Sequence, residues 1–202
     1  MKTILPVLTV SVALFIGCQP KPDISSLVAE MKVETQYDPS APFSNYQKYT
    51  LVLDTIGYIS NTSNATAIIG QYATDVTSNI KSQLDLAGYT RVDSTQAPDL
   101  GLRATVVRDY EIYQSYSYYS PYYYGYYGGY AYPYVTTSVS DEATLVIEML
   151  DLKNPLNGKA RTIWVAYIGD LITTSDPADS NPALIRAVKK AFTQSPYIKK
   201  GA

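Results

Sequence analysis

The stretches ATLVIEMLD (residues 143–151) and ARTIWVAYI (residues 160–168) are the most strand-like parts of this sequence. Both are dominated by β-branched and other apolar residues, which favour a pleated, packed surface. Asn157-Gly158 lies between them, and this dipeptide favours the two-residue turn of a β-hairpin. The sequence therefore predicts two antiparallel strands joined by a tight turn.

Shorter strand patterns come before this hairpin. Residues 31–37 alternate strictly between apolar and polar side chains, which is typical of a half-buried strand. Residues 49–53 and 89–92 predict two further short strands. A long strand is predicted after the turn at residues 97–99, because apolar residues alternate there at Leu100, Leu102, Ala104 and Val106.

Two segments have helical periodicity. Apolar residues recur every three or four positions from Ile69 to Ala87, and Gly88 follows where a left-handed residue usually ends a helix. Asn181-Pro182 is a typical start for a second helix, which Pro196 would end. The apolar face of this second helix consists of Leu184, Ile185, Val188, Ala191 and Phe192.

The order of these elements predicts the fold class. Strands and helices follow one another as β-β-α-β-β-insert-β-β-α, without the regular βαβ alternation of a parallel sheet. We therefore expect an α+β fold: a mainly antiparallel sheet with two helices packed on one face, plus a Tyr-rich hairpin-like insert at about residues 112–140. The 202 residues suffice for one domain, placed at residues 31–197 and followed by a short tail at 198–202.

Charge and composition exclude several function classes. The formal net charge is −2 and the pI about 5.1, so binding to nucleic acid by charge is not expected. The chain has no histidine, and thus lacks the usual general base and the commonest metal ligand. No G-x-S-x-G motif accompanies its serines. The composition predicts a protein that is not an enzyme and that binds no metal or cofactor.

The N-terminus has the pattern of an export signal. Met1-Lys2 is followed by the uncharged run ILPVLTVSVALFIG (residues 4–17), which is shorter than the roughly 20 residues that span a bilayer. The run ends at Cys18, the single cysteine of the chain. Gly17-Cys18 resembles a bacterial lipobox, and the alternative is an ordinary secretory signal. The pattern predicts a signal peptide at residues 1–17 and a covalent lipid on Cys18.

Residues 18–30 are predicted to join the lipid to the domain. They are polar and contain two prolines, which is typical of a tether. Gln19 stands where an inner-membrane retention signal would usually have Asp, so we expect the outer membrane of the cell envelope. The bilayer would then be a partner through the acyl chains.

The stretch SYSYYSPYYYGYYGGYAYPY (residues 115–134) lies in a segment without charge from Ile112 to Ser140. Its tyrosines fall on both parities of any strand, so rings would project on both sides. Three interpretations remain open: an insert that folds back over the sheet, a surface that binds an envelope protein or glycan, or a contact with the membrane interface. The candidate recognition surface consists of Tyr116, Tyr118, Tyr119, Tyr122, Tyr123, Tyr124, Tyr126, Tyr127, Tyr130, Tyr132 and Tyr134.

The carboxylates are the other candidate groups. Asp141-Glu142, Glu148 and Asp151 are predicted to be solvated charges at a strand edge, with Glu148 and Asp151 on opposite faces. The acidic run at residues 176–181 lacks the Gly and distal Glu of a calcium loop, so helix capping explains it better. Trp164 has apolar neighbours in its strand and is predicted to lie in the core.

Several motifs together resemble one family, the bacterial lipoproteins called Domain of Unknown Function 4136. In order, they are Tyr37-Asp38-Pro39, the F-x-x-Y-x-x-Y pattern of Phe43, Tyr46 and Tyr49, Pro98-Asp99-Leu100, the tyrosine-rich insert, Thr144–Asp151, Trp164 and Ala187–Phe192 followed by Pro196. The resemblance implies an envelope lipoprotein with an α+β domain, and it implies no catalytic residues. We therefore expect a non-enzymatic binding or assembly accessory. The alternative is a glycan-modifying enzyme that uses a pair of carboxylates.

Overall fold

The structure is a computed structural model that describes residues 31–60, 63–108, 143–156, 159–171 and 182–201. Within these residues the chain forms eight strands and two α-helices, with short 3-10 helices at Phe43–Asn45 and Ser94–Gln96. The strands are β1 (Val33–Tyr37), β2 (Lys48–Leu51), β3 (Thr55–Ile59), β4 (Ala67–Ile69), β5 (Thr90–Arg91), β6 (Leu100–Val107), β7 (Ala143–Leu156) and β8 (Lys159–Leu171). The helices are α1 (Gln71–Leu86) and α2 (Pro182–Thr193).

The described strands form one mixed sheet around the predicted hairpin. β7 pairs with β8 and with β6, and β8 pairs with β1, all antiparallel. The other edge of β6 is shared by two parallel neighbours: β2 pairs with residues 100–102 and β3 with residues 105–107. β5 pairs with β2, and β4 with β3. The expected α+β class with a mostly antiparallel sheet is confirmed.

Both helices pack on the same face of this sheet, which we call the helix face. Alternate residues of β6 and β7 point to it, including Leu100, Leu102, Leu145 and Ile147. α1 contributes Ala73, Val76, Ile80 and Leu84 to the same core, and α2 contributes Leu184, Ala187, Val188, Ala191 and Phe192. One face of each helix is apolar at a spacing of three or four residues, so burying that face against the sheet stabilises both layers.

Trp164 ties α2 to the sheet. Its ring is buried and lies 5.0 Å from the ring of Phe192, centroid to centroid. Its Nε1 donates a hydrogen bond of 2.9 Å to Ser195 Oγ, just beyond the end of α2. The prediction that Trp164 belongs to the core is confirmed. In α2, Ala187 is buried, whereas Ile185, expected in the core, is only half-buried.

The end of α1 also follows its sequence signal. Gly88 has a φ of +91°, the left-handed conformation that glycine adopts without strain. The N–H of Tyr89 then donates to Leu84 O, at 3.1 Å, which satisfies a carbonyl in the last turn of the helix. The predicted glycine at the end of this helix is therefore confirmed.

The stretch before α1 differs from the expectation. β3 and β4 form a small hairpin between the strand predicted at residues 49–53 and the first helix, where no strand was predicted. Ile69, expected on the apolar face of α1, lies in β4 and is 72% exposed. These strands have five and three residues, too few for a periodic pattern to stand out. The predicted turn at Asn157-Gly158 lies outside the described residues.

The sheet has a second face, opposite the helices. We define the second face by the side chains of Thr105, Val107, Val146, Glu148, Val165 and Tyr167, which lie on the strand positions that alternate with the helix-face residues. All six are buried.

Candidate functional site

The side chains that the sequence singled out most strongly lie outside the described residues. These are Cys18 and the tyrosines of the candidate recognition surface: Tyr116, Tyr118, Tyr119, Tyr122, Tyr123, Tyr124, Tyr126, Tyr127, Tyr130, Tyr132 and Tyr134. Asp141-Glu142 and the acidic run at residues 176–181 also lie outside them. The structure instead brings together a set of charged and aromatic residues that came from separate motifs.

This set, which we call the polar cluster, consists of Asp38, Tyr46, Asp99, Asp151, Lys153 and Arg161. It forms where the pairing of β7 and β8 shifts register, around Met149 and Leu150. Asp151 is its centre and has no exposed surface. Its Oδ2 accepts a hydrogen bond of 2.6 Å from Tyr46 Oη, and its Oδ1 accepts one of 2.8 Å from the N–H of Asn154. A buried carboxylate needs such donors to offset its lost hydration.

Arg161 connects two carboxylates of the cluster. Its Nη1 donates to Asp38 Oδ2 at 2.7 Å, and its Nη2 lies 3.9 Å from Asp151 Oδ2. Asp38 Oδ1 also accepts hydrogen bonds from the N–H and the hydroxyl of Ser40. Burial tends to raise the pKa of Asp38, but the bonds from Ser40 and the charge of Arg161 outweigh it and lower that pKa. Asp38 therefore stays ionised and holds the turn after β1 against β8.

Asp99 is a further carboxylate of the polar cluster, and it joins strands on the other side of the sheet. Its Oδ2 accepts hydrogen bonds from the N–H groups of Gln47, at 2.7 Å, and Lys48, at 3.0 Å. Lys153 Nζ lies 3.5 Å from Asp99 Oδ1. Burial opposes ionisation of Asp99, yet the two backbone donors and Lys153 lower its pKa. The carboxylate thus fixes the start of β2 beside the start of β6.

Two buried tyrosines complete these connections. Besides the bond from Tyr46 to Asp151, Tyr49 Oη donates to Asp85 Oδ1 at 2.9 Å and so joins β2 to α1. Burial, then hydrogen bonding to a carboxylate, raises the pKa of Tyr46 and of Tyr49. Neither phenol ionises near neutral pH, so each acts as a hydrogen-bond donor. The two tyrosines of the F-x-x-Y-x-x-Y pattern therefore have a structural role, since Tyr46 binds Asp151 in β7 and Tyr49 binds Asp85 in α1.

The chemistry of the polar cluster follows from these contacts. A carboxylate pair that cleaves a glycosidic bond must face substrate across a cleft, whereas Asp38, Asp99 and Asp151 face donors of the protein itself. Among the described side chains, no group of three or more His, Cys, Asp or Glu residues could hold a metal ion. The arrangement of the polar cluster joins β1, β2, β6, β7 and β8 at one end of the sheet.

The predicted solvent exposure of two acidic residues is wrong. Glu148 is 3% exposed, and Asp151 has no exposed surface. They do lie on opposite faces of the sheet, as predicted, since Asp151 belongs to the polar cluster while Glu148 pairs with Arg103 on the second face. Arg103 Nη2 donates to Glu148 Oε1 at 2.8 Å, and its Nε donates to the other oxygen. The prediction assumed a strand edge, whereas β7 is an inner strand, and groups of Tyr46, Asn154 and Arg103 contact the two carboxylates.

In the ranges that the structure covers, neither helix has the length and hydropathy needed to cross a bilayer.

Comparison with known proteins gives a family but no activity. A family model described as "Domain of unknown function (DUF4136)" matches residues 33–197. The chain is similar to the crystal structure of a DUF4136 family protein from Bacteroides thetaiotaomicron, with a TM-score of 0.68 and 27% identity, over 84% of this chain and 98% of that one. It also matches a PDZ domain protein from Parabacteroides distasonis, with a TM-score of 0.47 and 16% identity, over 85% of this chain and 37% of that one. No curated protein matches the sequence.

Proposed function

The chain belongs to the DUF4136 family, and we propose, from its own N-terminal residues, that it is a lipid-anchored protein of the bacterial cell envelope. In this proposal it acts as a non-enzymatic binding or assembly accessory. Its tyrosine-rich segment contacts another envelope protein or a glycan.

Cys18 is the observation that carries the proposal. It is the single cysteine of the chain, and it follows an apolar run with the length of a signal peptide. A lone thiol in an exported protein has no disulfide partner, and acylation gives it a role. One acyl chain binds a membrane only marginally at about 0.8 kcal/mol per buried CH₂, whereas the two or three chains of a lipoprotein anchor it stably.

Residues 19–30 set how far the domain stands from the membrane. A dozen extended residues reach about 40 Å at roughly 3.3 Å each. The domain begins with β1 at Val33, so the folded part would lie clear of the lipid headgroups. Gln19, in place of Asp, supports the outer membrane as the destination.

The described strands support a contact role for the tyrosine-rich segment. β6 and β7 pair over eight residues, with Val107 opposite Thr144, and the segment connects their ends. Both ends are therefore held by central strands of the sheet. Tyrosine gives broad contact at little entropic cost, since it has few rotatable bonds.

The anchor is tested by cell fractionation of Cys18→Ser. We expect the wild-type chain in the outer membrane, with acyl chains on Cys18 by mass spectrometry of the mature N-terminus. Cys18→Ser should lose the lipid and the membrane association. As a matched control, Gln19→Asp should keep the lipid and move to the inner membrane. An unmodified N-terminus, or a Cys18→Ser chain that still sediments with membranes, would refute the anchor.

The contact is tested separately, with variants of three tyrosines in the middle of the segment. We expect Tyr126, Tyr127 and Tyr130 changed to Ser to lose the partners that crosslink to the affinity-tagged chain in cells, with an unchanged midpoint of unfolding. The same three changed to Phe should keep them, because the rings remain. If the Ser variant retains every crosslinked partner, these tyrosines are not the contact.

A further inference from the structure

The described residues 182–201 carry charge of one sign only. They contain five of the 16 cations of the chain and none of its 18 carboxylates, so the remaining positions hold 11 cations and all of the carboxylates. The five are Arg186, Lys189, Lys190, Lys199 and Lys200. The formal net charge of −2 therefore hides a strong asymmetry, and such an asymmetry indicates an anionic partner for the basic part.

All five cations are exposed, and we call them together the basic surface. The buried residues of α2 face the sheet, so Arg186, Lys189 and Lys190 lie on the opposite side of this helix, three to four positions apart. The other two follow in the segment that leads from α2 to the end of α1, where the N–H of Lys200 donates to Ala87 O at 3.0 Å.

Helix stability alone does not account for this pattern. Cations stabilise the last turn of a helix, which explains Lys190, but Arg186 lies about two turns before the end of α2. α1 packs on the same face of the sheet and carries mixed charge, and its Lys81 Nζ lies 2.6 Å from Asp85 Oδ2. Of the two helices, α2 is the one whose exposed side is purely basic.

The basic surface lies on the side of the domain that the predicted tether enters. β1, which follows the tether, is at one end of the strand order. α2 contacts β1 and β8, and Tyr197, just after α2, stacks on Tyr37 of β1 with ring centroids 3.9 Å apart. α1 contacts β3, β4 and β5, toward the opposite end of the strand order. A chain anchored through its N-terminus would therefore attach to a bilayer on the side of α2.

We propose that the basic surface binds the anionic headgroups of a phospholipid bilayer. The choice of a bilayer as the anionic partner rests on the proposed lipid anchor, whereas the charge pattern does not depend on it. Lysine and arginine are attracted to anionic lipids within a Debye length of the surface. The tether raises their effective concentration there. Its reach of about 40 Å is a maximum, and the attraction draws the domain closer than this limit.

This contact would orient the domain. An acyl anchor fixes one point of the chain, and the basic surface adds a second contact that determines which side faces the membrane. α1 and the β3–β4 hairpin lie toward the opposite end of the strand order and would face away from the bilayer.

Vesicle binding tests the proposal on residues 19–202 without lipid, which contain every described element and lack the anchor. The probes are vesicles of phosphatidylcholine alone and of phosphatidylcholine mixed with phosphatidylglycerol. We expect the chain to sediment only with the vesicles that contain phosphatidylglycerol, and to be released as sodium chloride is raised, because salt screens exposed charges. Equal binding to both kinds of vesicle, or binding to neither, would overturn the proposal without bearing on whether Cys18 is acylated.

Matched variants locate the contact. Lys189→Gln should weaken the partition onto the phosphatidylglycerol vesicles about fivefold, and Arg186→Gln combined with it at least about tenfold. Lys81→Gln removes the same charge from α1, but from a lysine that is paired with Asp85, and should change the partition less than about twofold. The α2 variants should keep the wild-type midpoint of unfolding, since their side chains are exposed. Wild-type partition of the double variant, or equal losses for Lys189→Gln and Lys81→Gln, would contradict a contact through α2.

A fluorophore attached to a thiol measures the orientation independently. Residues 19–202 contain no cysteine, so Thr193→Cys, at the end of α2, and Ser78→Cys, on α1, each give a single label at an exposed position. With nitroxide-headgroup lipid in the phosphatidylglycerol vesicles, we expect the label at position 193 to be quenched much more strongly than the label at position 78. Equal quenching, or stronger quenching at position 78, would mean that α2 does not face the bilayer and would overturn the proposal.

Discussion

Asp151 shows how one residue can have a role that its sequence context does not reveal. It is a carboxylate with no exposed surface, and it accepts a hydrogen bond of 2.6 Å from the phenol of Tyr46. We expect Tyr46→Phe to destabilise the domain by about 2 kcal/mol, because a hydrogen bond to a buried charge is lost with no water to replace it. Urea unfolding measures this change.

The control for this variant is Tyr37→Phe. Tyr37 is more than a third exposed and stacks on Tyr197 with ring centroids 3.9 Å apart, a contact that phenylalanine preserves. Its stability should change by less than about 0.5 kcal/mol. If both variants unfold at the wild-type urea concentration, the Tyr46–Asp151 bond contributes nothing to stability.

Asp99 predicts how stability depends on pH. Its pKa is lowered in the folded chain, so it binds a proton less readily there than in the unfolded chain, where a pKa of about 3.9 is usual. Its contribution is therefore complete above about pH 4 and is lost as the pH falls through the folded pKa. We expect Asp99→Asn to be less stable than wild type at pH 7 and to lose less stability between neutral pH and pH 3.

Lys153→Gln is the control for this pH dependence. It removes the ammonium 3.5 Å from Asp99 but leaves the backbone donors of Gln47 and Lys48. These donors lower the pKa of Asp99 more than Lys153 does, so most of the acid dependence should remain. If Asp99→Asn lost as much stability as wild type between neutral pH and pH 3, Asp99 would not be responsible for the acid dependence.

At the scale of elements, all the long periodic segments were predicted, and so were the short strands β1, β2 and β5, whereas β3 and β4 were not. β6, β7, β8, α1 and α2 each repeat an apolar pattern over eight or more residues, and all five were expected. β3 and β4 were missed because their stability comes from pairing with β6 and with each other, which no local pattern encodes.

The polar cluster could be predicted only in part. Asp38, Tyr46 and Asp99 stood in motifs that identified the family, but nothing local indicated that Arg161 would meet Asp38 across 123 positions of sequence. Asp151 is buried beside Tyr46 and Asn154, and Glu148 beside Arg103, contacts that depend on how β7 packs against other segments. Charged residues are rarely buried, so an expectation from residue type alone placed them in solvent. Local sequence patterns likewise do not reveal that β2 and β3 both pair with β6 in parallel.

The fork at β6, where β3 replaces β2 as its neighbour, depends on Gly57. A methyl group added there would lie 2.8 Å from Thr105 Oγ1 and 3.0 Å from its Cγ2, closer than real contacts allow. We expect Gly57→Ala to destabilise the domain by about 1–3 kcal/mol, since β3 must shift away from β6 or Thr105 must leave its rotamer. Thermal unfolding measures the loss.

Gly169→Ala is the matched control in β8. A methyl group there meets only Lys32 Cβ, at 4.0 Å, an ordinary van der Waals distance. This variant should retain the wild-type midpoint or gain slightly. Equal losses at both positions would point to strand flexibility, and not to the close approach of β3 and β6, as the cause.

At the scale of the whole molecule, the two faces of the sheet are stabilised differently. The helix face is covered by α1 and α2, which contact each other as well as the sheet and share one core. The second face has its own smaller apolar cluster, centred on Val107, Val146 and Val165. The same strands thus contribute side chains to both apolar clusters. A change that weakens one cluster should therefore weaken the other through β6, β7 and β8.

This shared sheet predicts cooperative unfolding. Trp164, the single tryptophan, is buried between the sheet and α2, so its fluorescence reports the docking of that helix. Far-UV circular dichroism reports the whole sheet and both helices. For residues 19–202 without lipid, we expect one urea transition with the same midpoint by both probes, and a slope of about 1–3 kcal/mol per molar urea. Fluorescence changing at lower urea than circular dichroism would mean that α2 leaves the sheet first. The core would then consist of two units, and the hydrogen bond from Trp164 to Ser195 would be a local contact that contributes little to global stability.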